Sequence, residues 1–229
     1  MRKSTVILLT MLLFVLLSVA AALSQNDTRT LAILDFSNNS LLEKEKYSSL
    51  SPGIAEIMIT ELSNIQSIKL VERQKINSLI HEMELSQSGL ISEDNGIQVG
   101  KLLGAQFLVL GSYMVSFGQK IRVDIRIVEV ETGLTVKAEQ VTDKVGNLFN
   151  IIKILNEKIT KDLEIKLSKQ EQQALKSSKI SQDVIENFSK GLEFEKRGKI
   201  AEAKKMYYQT LKKDANFEPA KKRLQELSK

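Results

Sequence analysis

The chain of 229 residues carries 33 Lys and Arg against 28 Asp and Glu, a formal net charge of +5, with one histidine and no cysteine. The missing cysteine excludes disulfides, thiolate metal sites, a cysteine nucleophile and the acylated cysteine of a bacterial lipoprotein, so no lipid anchor is expected. The charge divides as +2 over residues 1–24, −3 over 25–167 and +6 over 168–229, and the lysines of the last part interleave with glutamates instead of forming a stripe, so no nucleic-acid partner is expected.

Arg2 and Lys3 precede the apolar run Val6–Val19, and Ala20-Ala21-Ala22 offers small residues to a signal peptidase. Residues 1–24 therefore read as a secretory signal, with cleavage after Ala22 or after Ser24. The same stretch is about long enough to stay as an anchor helix, but its small-residue end and the polar Gln25-Asn26-Asp27 favour removal. Export of a cysteine-free chain points to a bacterial periplasm, with membrane contact at most indirect.

LAILDF, residues 31–36, is an apolar run closed by a polar cluster and predicts a buried strand. Ser51-Pro52 predicts a helix start with Ser51 as N-cap, and Ile54, Ile57, Met58, Glu61 and Leu62 follow at helical spacing. SIKLVE, 67–72, predicts a second strand, and 73–85 a second amphipathic helix. Gly89 and Gly96 are expected to bracket a polar loop, after which IQVGKLLG predicts a short helix capped by Gly104 in the left-handed conformation. Residues 105–116, 120–130 and 134–142 alternate as three strands joined by tight turns, an antiparallel meander. A helix from Asn147 to Leu167 closes a first domain of residues 25–167. Residues 168–181 are polar and read as a linker or a frayed helix extension, and 182–229 as helical to the end. The expected fold class is α/β, a mixed sheet with an antiparallel meander covered by helices, followed by a small all-α hairpin and capping helix.

Little in this sequence points to catalysis. His81 beside Glu82 on an amphipathic helix reads as a surface residue. Gly100-Lys-Leu-Leu-Gly104 lacks the Lys-Ser/Thr ending of a phosphate-binding loop and reads as a close-packing position and a helix end. Arg122, Asp124, Arg126, Glu129 and Glu131 are expected along one face of the meander, with opposite charges interleaved, a solvated sheet face more than an acid/base pair. No enzyme activity, cofactor or metal is expected.

In the tail, Gly191, Phe194, Gly198, Ala203 and Tyr207, with Leu211 and Asp214, have the spacing of small and aromatic positions that resembles one tetratricopeptide (TPR) repeat over residues 184–217. It departs at Thr210, where alanine is usual, and at Ala215, where proline is usual. The alternative is a helical hairpin outside that family. Residues 217–227 would add a capping helix. A single repeat has to dock on something: the first domain, a second copy or an oligomer.

LAILDFSNNS, LVERQKINSLIHEMELSQSGLI, GKLLGAQFLVLGSY and RIVEVETGLTV follow one another in order over about residues 30–160. On these stretches the first domain resembles the CsgG-like family of curli production assembly/transport components. The resemblance implies an α/β domain of the bacterial envelope that assembles with or binds other proteins without catalysis, including self-association. The family's channels carry an N-terminal lipidated cysteine and two long insertions in the meander. Here the first turn spans only Ser116–Lys120. The expected role is an assembly or adaptor component of the periplasm, the alternative an oligomeric outer-membrane secretion channel of the curli type.

Overall fold

The computed structural model describes residues 28–41, 43–83 and 92–228. The expected signal over residues 1–24, with Ala22 and Ser24, and the loop glycine Gly89 lie outside the described residues.

Strands β1 (Arg29–Ile33) and β2 (Ser37–Asn38) come first, followed by helix α1 (Leu50–Leu62) and strand β3 (Ile68–Leu70). Helices α2 (Arg73–Glu82) and α3 (Glu93–Leu102) precede the meander of β4 (Phe107–Ser116), β5 (Lys120–Glu129) and β6 (Thr135–Lys144). Helices α4 (Leu148–Asp162), α5 (Lys169–Ser177), α6 (Gln182–Lys196), α7 (Ile200–Lys213) and α8 (Glu218–Glu226) complete the chain. The sheet runs β3-β1-β4-β5-β6, with β2 beside β4. Because β1 is parallel to both neighbours while the meander is antiparallel, the fold is the expected mixed α/β architecture.

The period of two in β5 assigns its faces. Ile121, Val123, Ile125 and Ile127 are at most 1% exposed and pack under α1 and α4. Burial of each such side chain contributes about 1.5–3 kcal/mol, and a one-residue slip would trade all of them for Arg122, Asp124 and Arg126, so the register is strongly specified. On the other face Ala32, Leu34, Leu108, Val128 and Val130 pack with Ile76 of α2 and Val99 of α3. The crossover from β1 to β3 thus lies on one face and that from β3 to β4 on the other. They diverge at the carboxyl end of β1, and such switch points leave a crevice in open α/β sheets.

Several expected boundaries move. The first strand ends at Ile33, although Leu34 and Phe36 stay buried, because the chain turns there to meet α1: the Ser51 hydroxyl donates to the Phe36 carbonyl instead of capping its own helix. Gly96 lies inside α3 and not at a loop end; Ser92 caps that helix by accepting from the Asn95 N–H at 3.3 Å, and the glycine lets α3 settle on Leu108 and Leu110. The closing helix stops at Asp162, well before Leu167, and Glu164 turns the chain in the left-handed region with φ 54°.

The polar run over 168–181 holds the separate helix α5, neither an extension of α4 nor an unstructured linker. A reciprocal capping box starts it, Ser168 Oγ accepting from the Glu171 N–H at 3.2 Å while Glu171 accepts from the Ser168 N–H at 2.7 Å. Leu175 is its one buried side chain, and it enters the same core as α1 and α4.

The last helices have a core of their own. Phe188 meets Phe217 edge-on at 5.0 Å between ring centroids and Tyr207 at 5.7 Å, around the fully buried Ala203 and Ala220. Gly191 lies directly against the Tyr207 ring, where a Cβ would come 2.4 Å from Cε1.

Candidate functional site

A crevice of about 1030 Å³ opens at the carboxyl end of β1 and runs along the uncovered face of the meander. Asp35 lines it just past the end of β1, Ser37 from β2, Arg73 from the start of α2, Ser112 and Arg122 from β4 and β5, and Gln140 from β6. Its remaining wall is not part of the α/β body: Leu192, Glu195 and Lys196 of α6 and Arg223 of α8 close it.

A chain of charges ties these walls together. Arg73, only 8% exposed, pairs through Nη2 with Asp35 and through Nε with Glu56 at 3.4 Å. Glu56, on α1, also accepts from Arg223 Nη2 at 3.4 Å, and Arg223 Nη1 reaches Glu195 at 3.4 Å. The Tyr207 hydroxyl donates to Glu195 at 2.6 Å, and Lys196 pairs with Asp35 at 3.3 Å. Glu56 is thus the common acceptor of two buried arginines, one from the α/β body and one from the helical end of the chain. Arg73 Nη1 is buried without a hydrogen-bond partner among the described residues.

The electrostatic consequences follow from burial and neighbours. Burial alone would raise the Asp35 pKa, but the cations of Arg73 and Lys196 outweigh it and hold the carboxyl below its ordinary value. A carboxylate with a depressed folded pKa contributes stability that is complete above its unfolded pKa, about 3.9, and lost as pH falls through the folded value. Thermal melts from pH 7 downward are therefore expected to hold steady until about pH 4 and then decline, with Asp35→Asn flattening part of the decline; an Asp35→Asn profile that matches the parent would contradict the assignment. Burial pushes the Tyr207 hydroxyl up, reinforced by its bond to Glu195, so it stays a proton donor.

The helical end also docks through shape. Gly53 of α1 faces Ser189 of α6 so closely that a Cβ at Gly53 would lie 1.8 Å from Ser189 Oγ and 2.7 Å from its Cβ. Ser48 Oγ donates to Glu193 at 2.8 Å beside this contact.

The residues singled out in the sequence fall in two places. Gly191, Ala203 and Tyr207 meet in the core between α6 and α7, Phe194 packs partly buried against it, and Gly198 turns the chain between the two helices with φ 71°. Of these only Tyr207 reaches the crevice network, through its hydroxyl. His81 is exposed at the crevice edge. Arg122 and Asp124 pair on the open sheet face, Nε to Oδ1 at 2.9 Å, and Arg126 pairs with Glu93. Glu129 and Glu131 do not share that face: the pleat sends Glu129 to the opposite side, where it accepts from Thr132 Oγ1 at 2.7 Å, and Glu131 sits in the turn. Among the described residues no group of three or more His, Cys, Asp and Glu is placed to hold a metal ion, and no helix is long and apolar enough to cross a membrane.

Glu56 and Arg223 carry no motif in the sequence, and Arg73 stands out there only within LVERQ, one of the stretches that carry the resemblance. The available signal was the composition of α1: LSPGIAEIMITEL is apolar nearly all round, and a helix of that kind is covered on more than one side. With the sheet on one side, the other needed a partner, which α6 supplies.

Residues 14–122 match the family model described as curli production assembly/transport component CsgG. The match ends early in β5, so RIVEVETGLTV and the helical end lie beyond it. Among solved structures the chain is similar to the LpoB C-terminal domain from Salmonella enterica, with 18% identity over 52% of this chain and 84% of that one and a TM-score of 0.42. It is also similar to lipoprotein GNA1162 from Neisseria meningitidis, with 8% identity over 58% of this chain and 99% of that one and a TM-score of 0.41. A third is the PelC dodecamer from Paraburkholderia phytofirmans, with 11% identity, 61% and 90% coverage and a TM-score of 0.39. No curated protein matches the chain.

Proposed function

We infer that this chain is a non-enzymatic protein of the bacterial envelope, exported to the periplasm, that acts by holding other proteins, and that the crevice is where it holds them. The observation that carries this reading is the composite wall: residues of the α/β body and of α6 and α8 line one large cavity at the sheet's switch point. The CsgG family match over residues 14–122 supports the envelope role. In this reading residues 25–167 form the CsgG-like body, 168–181 the connection and 182–229 a TPR-like module whose packing rests on Gly191, Phe194, Gly198, Ala203 and Tyr207. The covered apolar face of β5 supports an adaptor over a channel, because Ile121, Val123, Ile125 and Ile127 pack under α1 and α4 and the open face carries the charged Arg122, Asp124 and Arg126.

A photo-crosslinking residue at Ser112, inside the crevice, is expected to trap a discrete protein adduct in cells, whereas the same residue at Tyr208, on the exposed side of α7, is not. Equal adducts from both, or none from Ser112, would overturn the crevice as the binding surface. Osmotic shock without detergent is expected to release the protein; a detergent requirement would favour the secretion channel.

A further inference from the structure

We propose that β6 is a dimerisation edge, at which a second copy of this chain adds its own β6 antiparallel and continues the sheet across a two-fold axis at Gln140. This goes beyond the crevice reading and does not depend on it.

β6 is a ten-residue strand at the end of the sheet, paired on one side with β5. No described residue forms a backbone hydrogen bond to its outer side. Such an edge is a template for another strand, and a long one is a liability unless it is used or blocked. Neither proline nor glycine interrupts Thr135–Lys144; a β-bulge at Val136 shifts its register with β5, and the stretch from Lys137 to Lys144 is regular. The other edge of the sheet, β3, has only three residues, so a head-to-tail β6-to-β3 contact would leave most of β6 unpaired. Self-pairing uses the regular stretch from Lys137 to Asp143 and closes at two copies.

The charges choose the register. A two-fold axis perpendicular to the sheet keeps each side chain on its own face, and directly opposed residues of an antiparallel pair share a face, so the axis must pass through a residue and not between two. An axis at Glu139 sets two carboxylates against each other. One at Val141 sets Glu139 against Asp143 twice. One at Ala138 shortens the overlap and brings the bulge at Val136 into the pairing. The axis at Gln140 places Lys137 opposite Asp143 twice, Glu139 opposite Val141 and Ala138 opposite Thr142, all within the regular stretch and with no like charges facing. Charge complementarity of the strand with itself, and not with an arbitrary peptide, is what commits the edge to a second copy.

The absence of cysteine makes the test clean. Opposed residues on an antiparallel pair lie within the Cα separation a disulfide spans, about 4.4–6.8 Å. The purified full-length Gln140→Cys protein is therefore expected to give a covalent dimer under mild oxidation, while Ala138→Cys, displaced from the axis, stays uncrosslinked. By sedimentation equilibrium the parent chain is expected to be a dimer, and Lys137→Asp or Asp143→Lys alone, each setting like charges across the axis, to weaken it roughly tenfold or more. The combined Lys137→Asp/Asp143→Lys variant restores the opposite pairs and is expected to restore the dimer. All these side chains are at least partly exposed, so the fold survives the changes. A parent chain that is monomeric at every concentration, as an edge reserved for another protein's strand would give, overturns the proposal. So does a dimer indifferent to the charge changes, or equal crosslinking from Gln140→Cys and Ala138→Cys.

Discussion

Replacing Glu56 by alanine is expected to lower the melting temperature more than any other single change at the surface between the α/β body and the helical end. Glu56 is 13% exposed and is the common acceptor of Arg73 Nε and Arg223 Nη2, both side chains less than a tenth exposed. Removing one member of a buried ionic set leaves the others uncompensated, which costs about 3–5 kcal/mol. For a chain of this size that is roughly 6–20 °C, at about 2–4 °C per kcal/mol. The gain in helix propensity from alanine is a few tenths of a kcal/mol, far too small to offset it. Glu56→Gln, which keeps the shape and one acceptor oxygen, is expected to fall between. Differential scanning calorimetry gives the size, and limited proteolysis between α5 and α6 gives the cause, since a released helical end exposes that connection. A Glu56→Ala melt within about a degree of the parent would mean that the buried ionic set adds nothing measurable.

The second large effect is expected from Gly53→Ala. In an exposed helix this change stabilises by about 1 kcal/mol. Here the new methyl would collide with Ser189, and rotating the hydroxyl away relieves only the 1.8 Å contact with Oγ; the 2.7 Å approach to Ser189 Cβ remains. The helices must separate, and overpacking of this kind costs about 1–3 kcal/mol. Ser189 is fully buried and its Oγ has no partner among the described residues, so its own removal is cheap. Ser189→Gly is accordingly expected to rescue Gly53→Ala, the double variant melting above the Gly53→Ala single. Because the two residues touch, their effects should be strongly non-additive. Simple additivity would show that α1 and α6 are not held at this distance in solution.

Both predictions concern a contact between segments more than a hundred residues apart, and that separation explains what was legible. The alternation of β5 was readable because a strand's period assigns faces without reference to any partner, and the meander, its turns and the helices around it follow from the same local patterns. Local pattern also misled where a side chain answers to something distant: Ser51 reads as an N-cap but donates to the Phe36 carbonyl. Residues 168–181 read as a linker or helix extension although Ser168 and Glu171 form a capping box. The capping box was in fact written in the sequence, as Ser168 with Glu171 three positions on, and was obscured by the polar residues around it. Glu129 continues the run of charges along β5, but strand parity puts it on the face opposite Arg122, Asp124 and Arg126.

What the sequence by itself determined is the set of elements and their buried faces, since helix and strand periods, turn glycines and the absence of cysteine are all local facts. Fold class followed from their order. Only the tertiary structure decided where the helical end sits and that it walls the crevice, because Gly53 and Ser189, or Glu56 and Arg223, carry no mark of their partners until the chain has folded. A glycine in a helix costs stability unless another backbone must come close, and a buried carboxylate is costly unless a cation from elsewhere meets it. Each is unfavourable alone, and the physical reason for both residues lies in the partner that the other segment supplies.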